Sequence, residues 1–346
     1  MSKVRLKDRE GDWVFLTPIG NVVLTGSVSN EFEVDRVLFV DREKLPRIRK
    51  RLGLIDRISE VKKTTKAGFF DRADTYAVVK AKGKPAELET QCFRQVRDAL
   101  SILALSQLGY AKRRIVGRIG PFGEHDITRV EDLFLNKSDS SQIVRARLTQ
   151  DPRPLILDQG WKNFQKQVFF TDLMKILSGE TQVAPNWRRD LRKASVLIGQ
   201  SINSSDVPIS FLSNMIALEL LLTRQQDKLS DVLPKRAEAF LGWIGFWQSQ
   251  DYERKINDAY GKRNRLVHAG EREIVSKRDL LFTDDLLLNL LANLTRMPHL
   301  FGSKEEIVEF AEKVEAEHKL GIRPKVQPDK LRFFSSKYTE QDFNEI

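Results

Sequence analysis

The pattern of apolar and polar positions changes character near residues 151–154, where Pro152 and Pro154 interrupt both helix and central strand. Before that break the apolar residues come in short, β-branched or aromatic runs. Residues 13–16, 22–28, 36–40, 75–80, 114–119, 127–134 and 143–148 read as strands separated by turn residues such as Pro18, Gly20 and Asn30. Two helices interleave with them, one over 41–52 that Gly53 ends, and one that Pro85 opens and Gly109 closes. After the break the period lengthens to that of helices. Candidates cover 159–178, 187–201, 209–223, 227–241, 251–269 and 279–296, with Gly179, Pro185, Pro208, Gly242 and Gly270 among their connectors. Pro234 starts or kinks the fourth of these. Ser303 and Glu306 form a capping-box pair opening a helix to Lys319, and the polar, proline-bearing tail after Gly321 is expected to pack weakly. The expected architecture is an α+β N-terminal domain (1–155), an all-α bundle (156–300), and a C-terminal helix with a polar tail (301–346).

One helix breaks its own pattern. At about 100° per residue, Tyr252, Ile256, Ala259, Tyr260, Leu266 and Val267 of the 251–269 helix share one apolar stripe, and Arg263 lies in its middle. Asn264 and His268 are four residues apart and so neighbours on the stripe's flank, and Gly270 supplies a left-handed stop. A charge in an apolar seam needs a partner. Either Arg263 makes a buried ion pair, with Glu219 as one candidate, or it faces something outside the chain.

Composition narrows the classes. With 41% hydrophobic and 31% charged residues the chain can build real cores and is not generally disordered. The richest apolar run, 279–297, carries Asp284 and Asp285 at its middle, so no membrane span is expected. The first residues lack the apolar core of a secretion signal, and a cytoplasmic protein is expected. Cys92 is the sole cysteine, and His125, His299 and His318 lack metal-ligand spacing, so neither a disulfide nor a metal or other cofactor is expected. The net charge of +10 is uneven: residues 1–150 hold 29 Lys and Arg against 20 Asp and Glu, the rest 29 against 28. Any polyanion bound through net charge therefore belongs to the N-terminal half. There the basic helix bearing Arg42, Lys44, Arg47, Arg49, Lys50 and Arg51 is the first candidate, although such a run is more often a solvated face. The stretch 117–123 is glycine-rich but has no Lys-Ser/Thr ending, and reads as a plain loop.

Three stretches of the helical half resemble a HEPN domain, nearest the ApeA-like branch, over roughly residues 187–296. They are the apolar helix Phe211-Leu-Ser-Asn-Met-Ile-Ala-Leu-Glu219-Leu-Leu-Leu, the helix 227–242 that follows it, and Tyr260-Gly-Lys-Arg263-Asn264-Arg-Leu-Val-His268-Ala-Gly270, which matches the family's Arg-polar-x-x-x-His motif. The resemblance implies a metal-independent endoribonuclease that acts on tRNA or other cellular RNA in antiphage abortive infection, with two copies of the motif meeting in a homodimer. It implies His268 as general acid or base, Arg263 as stabiliser of the transition state, and Asn264 as orienter of His268 or ligand of the scissile phosphate. Glu219 would orient an Arg, Tyr260 would support the core or stack, and Arg265 would touch RNA if it is not merely solvated. The residues directly after His268 are Ala-Gly-Glu-Arg-Glu, with no Tyr, which argues against control by modification there. The rival expectation is a non-catalytic HEPN-like dimerisation or nucleotide-binding module, with the basic N-terminal domain doing the nucleic-acid binding.

Overall fold

The computed structural model describes residues 10–26, 31–54, 59, 63, 68–113, 117–122, 129–135, 142–148, 153–241, 252–322, 331–334 and 338–339. His125, Gly123, Asp251, and residues 27–28, 114–116 and 127–128 of the expected strands lie outside them. Contacts divide the chain into two units. The first comprises residues 1–33, 37–97 and 114–159, and the second residues 34–36, 98–113 and 160–346. Residues 98–113, which the sequence assigns to the first domain, thus belong with the helices.

The first unit is built on a curled antiparallel sheet. Strands β1 (Gly11–Gly20), β2 (Val22–Leu24), β3 (Glu31–Val34), β4 (Val37–Asp41), β5 (Thr75–Gly83) and β6 (Gly120–Pro121) include five that form a sheet in the order β3-β4-β5-β1-β6. β7 (Arg129–Leu135) pairs with β8 (Gln142–Leu148), and β9 (Leu155–Leu157) runs parallel to β2. Thr75–Val79 of β5 are all buried, as a central strand covered on both faces requires. Tyr76 and Val78 point into a core with Leu38, Val40, Leu45, Leu52 and Phe70. On the other face Phe15 meets Phe93 of α2 (Pro85–Leu105) edge to face, ring centroids 4.9 Å apart. The expected 41–52 helix is not continuous. Pro46 cannot donate an N–H, and the segment becomes a 3₁₀ turn (Leu45–Arg47) and a single helical turn, α1 (Arg49–Leu52), closed by Gly53 at φ 71°. Residues 117–119 are not strand either: the ladder starts at Gly120, opposite Gly20.

In the second unit the helices are α3 (Gln159–Gln167), α4 (Phe170–Ser178), α5 (Pro185–Asn203), α6 (Val207–Leu222), α7 (Leu229–Leu241), α8 (Tyr252–Ala269), α9 (Lys277–Arg296) and α10 (Lys304–Lys319). The single helix expected over 159–178 is two, separated by a bend at Val168 and Phe169, where Phe169 leaves helical geometry at φ −152°. Pro234 lies inside α7 and neither begins nor ends it. The hub is α6, which packs against α5, α7, α8, α9 and α10. Its apolar residues lie all round the axis, the pattern of a helix enclosed by others. α9 opens on a complete capping box between Ser276 and Asp279, while at α10 Ser303 caps the Glu306 N–H.

Two packing details carry consequences. A Cβ on Gly199 of α5 would lie 1.7 Å from the Ser101 carbonyl oxygen of α2, so the two backbones touch there. Gly199→Ala is therefore expected to force the helices apart and cost at least ~1–3 kcal/mol, read as a lowered denaturant midpoint; an unchanged midpoint would refute the contact. Second, the tail does not pack loosely throughout. Asn289 and Asn293, one turn apart on α9, grip the segment 331–334 by its backbone. Asn289 donates to the Phe334 carbonyl (2.8 Å) and accepts from its N–H (2.7 Å); Asn293 does the same to Arg332 (2.9 and 2.8 Å).

Candidate functional site

α8 lies against α6 and is tied to it at two points. Arg263 meets Glu219 near the end of α6, and Arg272, just past α8, pairs with Asp206, the N-cap of α6. The order of these pairs makes the two helices antiparallel. Lys262 adds a third tie, 2.8 Å from Asp279 at the start of α9. Ile256, Ala259 and Leu266 are buried along the seam, and Arg263 sits among them with 18% of its side chain exposed.

The arginine is held rather than stranded. Its Nη2 donates to Glu219 Oε2 at 3.2 Å and its Nη1 to Asn264 Oδ1 at 3.2 Å, while the Tyr260 ring centroid lies 5.9 Å from the guanidinium carbon. Its Nε is 3.0 Å from Glu219 Oε1, yet the N–H is not aimed at that oxygen, and neither atom has an aligned hydrogen bond. A guanidinium carries five N–H donors, so Arg263 keeps unused ones after these two bonds. Burial pushes the Glu219 carboxyl above its ordinary value of 4.5, and the Arg263 charge only partly opposes that. The sign for stability follows: the contribution from Glu219 is full below its ordinary value and is lost as pH rises through the raised one. Glu219→Gln has no such titration. Its stability relative to wild type is therefore expected to improve as pH climbs through that window; urea midpoints of both proteins across the range that stay parallel would contradict this.

His268 occupies a different surface. At the end of α8 Leu266 stays buried, while Val267 (45% exposed), His268, Ala269 and Gly270 are exposed, and Gly270 stops the helix at φ 70°. Of the expected apolar stripe, Leu266 is therefore buried, while Val267, about 40° in azimuth from Arg263, is not. His268 makes no hydrogen bond among the described residues, and the Oδ1 of Asn264 is engaged by Arg263. Helix geometry separates Arg263 and His268 by about 140° and about 7.5 Å of rise, so one chain does not converge them on one point. Arg265 is exposed and pairs with Glu271.

The basic segment of the first unit is partly neutralised. Arg42 lies 3.6 Å from Asp74, Arg51 lies 3.6 Å from Glu33, and Arg49 Nε donates to the Leu54 carbonyl at 3.1 Å. Arg47 and Lys50 are exposed and Lys44 half-buried. Among the described residues no group of His, Cys, Asp and Glu is placed to hold a metal ion, and no helix is long and apolar enough to cross a membrane.

Sequence reasoning missed a heavily bonded, buried polar group in the second unit. Arg113 (6% exposed) donates from Nε to Asp284 Oδ2 at 2.5 Å and from Nη2 to Oδ1 at 2.7 Å. It also bonds the Ser201 carbonyl (2.7 Å) and hydroxyl (2.8 Å), and Asn214 donates to Asp284 at 2.8 Å. Tyr338 stands beside them, its hydroxyl pushed up to about 12 by burial and by the Asp284 charge, so it remains a neutral phenol. The one local clue was an aspartate pair inside an apolar run. Compared with protein-family models, characterised proteins and solved structures, the chain matches none.

Proposed function

We propose that the second unit is a HEPN-like, metal-independent endoribonuclease whose active site is completed by a second copy of the chain. The observation that supports it most is the last turn and a half of α8. There Arg263 is braced by Glu219, Asn264 and Tyr260 with donors to spare, and His268 stands exposed and uncommitted beyond it. Two such turns facing each other across a two-fold axis bring two imidazoles and two guanidiniums to one cleft, which a single chain does not.

In that arrangement one His268 accepts the proton of the ribose 2′-OH as its oxygen attacks the adjacent phosphorus. The P–O5′ bond breaks, and the partner's copy of His268 gives a proton to the departing 5′ oxygen. Arg263 holds the non-bridging oxygens as negative charge builds on them. Products carry a 2′,3′-cyclic phosphate and a 5′-OH. The test is incubation of the purified full-length protein with total RNA and tRNA in EDTA, with the new ends identified chemically. Cleavage that requires an added divalent ion, or that leaves 5′-phosphate ends, would overturn the mechanism. Absence of cleavage with tight, salt-sensitive RNA binding would favour the non-catalytic reading.

A further inference from the structure

The first unit holds a cleft of about 280 Å³ where β1 turns into β2 and β6 comes alongside. Its walls include Arg72, Asp74, Arg118, Asn21, Gly120 and Phe122. The charge balance is unusual. Asp74 is answered from outside the cleft by Arg42, 3.6 Å away. Arg72 and Arg118 have no ion-pair partner among the described residues, so two unpaired guanidiniums line the cleft beside the one carboxylate of Asp74. Phe122 stands on the wall 44% exposed, which is uncommon for a large aromatic.

The backbone of the cleft is hydrogen-bonded across its strands. Asn21 takes a left-handed conformation at φ 59° and donates through its side chain to the Arg118 carbonyl at 2.8 Å, while its own carbonyl accepts from Leu155 at 2.8 Å. The Phe122 N–H donates to the Pro18 carbonyl at 2.9 Å, and Thr75 bonds the Val22 carbonyl at 2.7 Å. The backbone that carries Arg118 and Phe122 is thereby set before any ligand arrives, which lowers the ordering cost of binding. Sequence spacing makes 117–123 a plain loop and not a nucleotide-fingerprint motif. The chemistry here comes instead from side chains assembled by the sheet.

We propose that this cleft binds a nucleoside phosphate, with Arg72 and Arg118 on the phosphate oxygens and the base laid against Phe122. Two free guanidiniums select a phosphate-like anion with several oxygens. An exposed aromatic ring beside them selects a planar group on the same molecule. A volume near the lower end of the roughly 300–1,000 Å³ of small-molecule pockets fits one nucleotide and not a length of strand. The ligand is then a free nucleotide or the phosphorylated end of an RNA. The proposal does not depend on the ribonuclease reading, since it concerns binding alone and a different unit.

The experiment is calorimetric titration of the full-length protein at low salt with AMP, GMP, CMP and UMP, with inorganic phosphate, and with a 5′-phosphorylated dinucleotide. At least one monophosphate should bind with Kd below about 1 mM, about 4 kcal/mol of binding free energy, and more tightly than inorganic phosphate. Arg72→Glu, at an exposed position where refolding is not at stake, should weaken it at least tenfold. Phe122→Ala should weaken the nucleotide and leave inorganic phosphate unchanged. A dinucleotide that matches the monophosphate identifies an RNA end as the ligand, and one that binds more weakly identifies a free nucleotide. If no monophosphate binds better than phosphate, or if Arg72→Glu and Phe122→Ala bind as wild type does, the proposal is wrong.

Discussion

His268→Ala is expected to stop RNA cleavage and leave the protein's stability where it was. The two halves of that expectation have separate grounds. Removing a general acid or base costs ~10²–10⁴-fold in rate, and if both copies of the histidine act in one composite cleft the loss falls at the upper end. His268 is exposed and bonds to nothing among the described residues, so its loss removes no packing and strands no buried group. This makes it a cleaner probe than Arg263, whose deletion also leaves Glu219, 14% exposed, without its counter-charge. The assay is the initial rate of RNA cleavage beside a thermal melt of the same preparation. A variant that melts like wild type and cuts like wild type removes His268 from the mechanism, and with it the ribonuclease reading.

The largest effect on stability should come from Asp284→Ala. Asp284 and Arg113 are 3% and 6% exposed, and the aspartate also takes a hydrogen bond from Asn214. Removing one member of a buried ion pair typically costs ~3–5 kcal/mol, because the charge left behind has neither water nor partner. For a unit of this size that corresponds to a midpoint lowered by roughly 10 °C. A double variant with Arg113→Met and Asp284→Leu, which removes both charges and keeps the volume, should recover most of the loss. Calorimetry of the three proteins decides it. If the single variant melts with the wild type, the pair is not structural.

How much of this could be read from the residues depends on range. Helices announce themselves locally, so α5, α6, α8 and α9 sit close to where apolar spacing places them, and the enclosure of α6 follows from its lack of a polar face. The site helix was legible for the same reason: Arg263 stood out because a charge broke a period, and Glu219 was a candidate partner for it. What resisted reading was long-range or very short. Arg113 and Asp284 are 171 positions apart, and nothing near either residue names the other. β9 is three residues long and takes its strand character from pairing with β2. The cleft is assembled from residues near 20, 72 and 120; the first and last read only as turn and loop, and nothing local joins the three. Leu266 and Val267 carry the same apolar signal, so spacing placed both in the core, and only Leu266 is buried.

The grip of Asn289 and Asn293 on the tail reads main-chain atoms alone. Its specificity is therefore one-sided. The two asparagines on α9 cannot change without releasing the tail, whereas positions 332 and 334 can accept almost any side chain that still offers a backbone N–H, proline being the exception. Across related chains the constraint would fall on the helix, and the segment it holds would be free to drift.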